Sequence, residues 1–137
     1  MDKVEILILR NLLFNEEYLR KVIPFIKADY FEDPHQKVLF EEILNFVNEY
    51  NQPTTKEVLY IEVEKRQDIT DTSFQEITKL ISYLEDVPSD YEWLLNTTET
   101  WCKDRAIYLA LIESIALADG KDETKDRGAI KPIIVIS

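Results

Sequence analysis

Few residues in this chain have the type and spacing to do chemistry. Glu32-x-x-His35 has the spacing with which di-iron carboxylate proteins hold a metal, but that motif lies inside a helix and occurs twice. Here Asp33 and Pro34 read as the cap and first residue of a helix, which leaves Glu32 outside it, and His35 is the only histidine. An exposed first-turn histidine is expected, and no metal site. Gly120-Lys121 is the only Gly-Lys pair, with Asp122 where a phosphate loop needs Ser or Thr and Ile115 where it needs its first glycine. The pair also falls at the end of a helix, whereas a phosphate loop sits at a helix start. No cofactor site is expected in this chain.

Cys102 has no histidine or oxyanion setting around it and lies near Trp101 and Ala106 at core-like spacing, so it reads as a packing cysteine. Trp93 and Trp101 stand about two turns apart on one helix. Such aromatics can stack bases, but without many basic neighbours they read as core. No two carboxylates are spaced as an acid and a base, and no catalytic residue is assigned.

Charge points the same way. The chain has 27 acidic and 16 basic residues, a formal charge of −11. A surface built to neutralise phosphates needs clustered Lys and Arg, so direct DNA binding is not expected. An acidic adaptor or nucleic-acid mimic acting on a basic protein is the alternative function. It requires carboxylates concentrated on one face, and the interleaved bases argue against it.

The elements that position these residues are helices. Two glycines in 137 residues are too few for a sheet protein's turns. One cysteine excludes an internal disulfide, no run of about 18 apolar residues is present, and the apolar run Ile6 to Leu9 is too short for a signal peptide. A cytoplasmic protein without a membrane span is expected.

The periodicity predicts about six helices. Val4 to Phe14 is apolar on much of its circumference and should be buried. Asn15 caps Glu16 to Ile23, which Pro24 interrupts. Asp33, Pro34 and Gln36 form a capping box before the stripe Leu39, Ile43, Phe46, Val47 and Tyr50. Thr54 with Glu57 and Thr72 with Gln75 read as two further boxes. They open helices bearing Val58, Leu59, Ile61 and Val63, then Phe74, Ile77, Leu80, Ile81 and Leu84. Asp90 caps the longest helix, Tyr91 to Asp119, with Gly120 as its C-terminal cap. Residues 1–120 are the expected helical domain and 121–137 a polar linker or tail.

From Ala106 to Ile112 every residue is apolar or aromatic, and a helix apolar all round must be covered on more than one side. Ala106, Leu109, Ile112, Ile115 and Ala116 are the expected packing stripe, closing either the domain's own core or a contact with another subunit.

The stretch Asp29-Tyr-Phe-Glu-Asp-Pro-His-Gln-Lys-Val-Leu-Phe-Glu-Glu-Ile-Leu44 resembles the signature of the N-terminal domain of DnaB-superfamily replicative helicases. Ile6 to Phe14 with Asn15-Glu16-Glu17-Tyr18 resembles the family's opening helix and linker, and Asn51-Gln52-Pro53-Thr54 its next turn. Val22-Ile-Pro-Phe25, Trp93-Leu94, Thr98-Glu99, Arg105-Ala106 and Arg127-Gly-Ala-Ile130 are similar in order and spacing to the T-even-like phage branch. Lys131-Pro-Ile-Ile-Val-Ile-Ser137 departs from the linker helix that follows in the family.

The resemblance implies a compact helical bundle whose long last helix belongs to a helical hairpin. It implies a collar that self-associates above a hexameric motor ring and contacts primase or a helicase loader. ATP, magnesium and DNA unwinding would belong to a motor domain absent from this chain, and the chain itself would not be an enzyme.

Overall fold

The protein, seen in a computed structural model, is described over residues 3–119, so the expected Gly120 cap and the expected tail at 121–137 lie outside the described residues. Those residues form six α-helices and two 3-10 turns, with no strand among them. The helices are α1 Lys3–Phe14, α2 Glu16–Val22, α3 Pro34–Tyr50, α4 Lys56–Glu64, α5 Asp71–Tyr83 and α6 Tyr91–Ala118. The all-α expectation holds. The chain divides into two compact units, Met1–Thr98 and Glu99–Ser137; α6 begins in the first and ends in the second.

In the first unit α1 is buried on most of its circumference, with Ile8, Leu9 and Leu12 fully enclosed. Its one interior amide, Asn11, is satisfied by donating from Nδ2 to the carbonyl of Leu7 at 2.8 Å. Asn15 ends α1 and caps α2, accepting from the Tyr18 amide. Pro24 has no N–H with which to extend α2, and the chain passes into a 3-10 turn at Ile23–Phe25 that leaves Phe25 exposed.

α3 packs against α1, α4 and α5. Its cap, Asp33, accepts from the amides of His35 and Gln36, and Pro34 takes the first helical position. Asn51 ends it in the left-handed region at φ 54°, which asparagine tolerates better than most residues. Its carbonyl and side-chain oxygens accept from the Arg20 guanidinium, tying the end of α3 to α2. The core gathers Tyr18, Phe31, Leu39, Phe40, Ile43, Leu59, Ile77 and Ile81, all fully buried, with the rings of Phe31 and Phe40 tilted at 5.3 Å between centroids.

Several expectations are corrected. The cap of α4 is Thr55, whose hydroxyl accepts from the Val58 amide, while Thr54 is buried. The cap of α5 is Thr70, bonded to the Ser73 amide, and Thr72 lies inside the helix. Gln36 does not close a box with Asp33: its side chain is buried and Oε1 accepts no hydrogen bond. In the α3 stripe Tyr50 is exposed, and Phe40, outside the expected stripe, is enclosed.

Candidate interaction surface

The residues with chemical potential do not converge. Glu32 precedes α3 and His35 occupies its first turn, 3.6 Å from the Asp33 carboxylate. No group of three metal-ligating side chains occurs among the described residues. Cys102 is half-buried, and burial together with the Glu99 carboxylate pushes its thiol up to about 11. A thiol that is protonated at neutral pH is a poor nucleophile.

The densest charge cluster is structural. Arg66, at the end of α4, spans Glu42 at 2.7 Å, Glu41 at 3.0 Å and Asp68 at 2.7 Å. Hydrogen bonding to Asp68, and then to Glu42 and Glu41, raises the guanidinium pKa further, and the same contact holds Asp68 below the usual carboxylate range. Four hydrogen bonds from Arg66 go to carboxylates of its own chain, which fastens the end of α4 to α3.

What remains is the second half of α6. Asp90 caps the helix as expected, its carboxylate accepting from the Trp93 amide at 2.9 Å. Trp93 itself is 53% exposed, against the expectation of core, whereas Trp101 is buried. Further along, Ile107, Tyr108, Leu111, Ile112 and Ile115 are each about half exposed (46–57%). At 100° per residue these five fall within about 140° of the helix circumference, one continuous apolar band. Arg105 stacks over the Tyr108 ring at 4.9 Å, and an ion pair of Lys103 with Glu99 at 2.8 Å lies one turn before.

Of the expected stripe, Ile112 and Ile115 lie in this band; Ala106 is exposed, and Leu109 and Ala116 are partly covered. Ile107, Tyr108 and Leu111 were outside that stripe. An unbroken apolar run gives no phase, so periodicity could not have chosen them. No helix among the described residues is long and apolar enough to cross a membrane. Isolated exposed apolar residues are ordinary, whereas a band of five amounts to roughly a few hundred Å², the size of the largest apolar patch on a typical monomer.

A relative from Enterobacteria phage T4, a DnaB-like replicative helicase, is 33% identical over 111 residues. The match covers 81% of this chain and 23% of that relative, so the chain spans about a quarter of the relative's length. The family model described as DnaB-like helicase N terminal domain matches residues 2–94, which includes α1 to α5 and the start of α6. With two-thirds of its length matched by that model, the chain belongs to the DnaB-like helicase N-terminal domain family.

Proposed function

We propose that this chain is the non-catalytic assembly module of a phage-type replicative DNA helicase. In this reading α6 packs its apolar band against another copy, and the acidic exterior is offered to a primase or helicase loader. The observation that carries it is the band Ile107, Tyr108, Leu111, Ile112 and Ile115. The packing stripe Ala106, Leu109, Ile112, Ile115 and Ala116 flanks and overlaps that band, so the contact would wrap much of the helix. ATP hydrolysis and unwinding would reside in a motor domain joined to this one.

Magnitude sets the strength expected. The band supplies a few hundred Å², below the roughly 800 Å² per partner of a standard interface. Association through α6 alone should therefore be reversible and concentration-dependent.

Analytical ultracentrifugation tests this. The chain should sediment above its monomer mass of 16.2 kDa at high concentration and dissociate on dilution. Ile112→Glu with Ile115→Glu should remain monomeric with unchanged helical circular dichroism. A wild-type monomer at about 1 mM would overturn the reading, since contacts weaker than that are not assembly contacts. ATP turnover that co-purifies with the chain would overturn its non-catalytic half.

A further inference from the structure

We draw no further inference here: the strongest candidate, the exposed side chains Tyr83, Val87 and Trp93 around the connection between α5 and α6, is flanked by Glu85, Asp90 and Glu92, but nothing in the structure shows what covers it.

Discussion

The hydroxyl of Tyr18 lies 2.7 Å from Oγ1 of Thr98, in a buried contact between α2 and α6 that closes eighty residues of chain. Oγ1 of Thr98 also lies 2.8 Å from the carbonyl of Leu94, to which only a hydroxyl proton can be donated. Thr98 has one such proton, so Tyr18 must be the donor to Thr98. The pair thus has a fixed direction, and α6 is joined to α2 within the first unit by a specific bond rather than by apolar packing alone. A double-mutant cycle of Tyr18→Phe and Thr98→Val, measured by urea denaturation, should give a coupling of about 1 kcal/mol. Additive single effects would mean that the bond contributes nothing to folding.

Arg66 supplies a second fastening, and its surroundings set which partner matters. The side chains of Arg66 and Glu42 are 17% and 13% exposed, whereas that of Asp68 is 63% exposed. Arg66→Ala strands Glu42 in a sheltered site and should destabilise the fold by about 1.5–3 kcal/mol, the range for hydrogen bonds to charged groups. Arg66→Lys should recover only part, because an ammonium cannot fork between three carboxylates. Asp68→Asn should cost less than Glu42→Gln. Asp68 is held below its ordinary pKa by Arg66. Its contribution is therefore present above the ordinary carboxylate value and lost as pH falls through the lowered one. Denaturation of wild type and Arg66→Ala at neutral and acidic pH should show the difference between them narrowing in acid.

The helix caps separate what local sequence reveals from what it leaves open. Helix existence was legible from glycine poverty and from the 3.6-residue spacing of residues such as Leu39, Ile43, Ile77 and Leu80. Cap identity was legible where one candidate stood alone, as at Asn15 and Asp33. It was not legible at Thr54 and Thr55, where two candidates of the same type adjoin. Glu57 sits three residues after Thr54 and favours that frame, but Thr54 is buried and Thr55 makes the bond. Thr70→Ala and Thr55→Ala should each cost about 1 kcal/mol by thermal denaturation, and exposed Thr72→Ala no more than about 0.5 kcal/mol. Equal effects at Thr70 and Thr72 would contradict the caps described.

Long-range relations were beyond local reading for a different reason. Nothing near Arg66 in sequence indicates that Glu41 and Glu42 will meet it. In α6 the apolar composition was plain but its orientation was not. Ile107 and Leu111 are as apolar as Leu94 and Leu117, yet the first pair is half exposed and the second buried. Only packing breaks that tie.

Cys102 gives a prediction with a definite sign. Its thiol is pushed from 9.0 up to about 11, first by burial and then by the Glu99 carboxylate. The folded state therefore favours the neutral thiol. That preference contributes to stability below the unfolded value and is lost as pH rises from about 9 towards 11. Folding stability should thus fall across that alkaline window, and Cys102→Ser should lessen the fall, because a hydroxyl does not ionise there. Alkylation offers an independent reading, since the thiolate is the reacting form. At pH 8 the folded chain should react with iodoacetamide roughly a hundredfold more slowly than the urea-unfolded chain, the ratio set by a shift of about two pKa units. Equal rates in the two states would mean that Cys102 is not sheltered on α6, and the burial that raises its pKa would have to be abandoned with it.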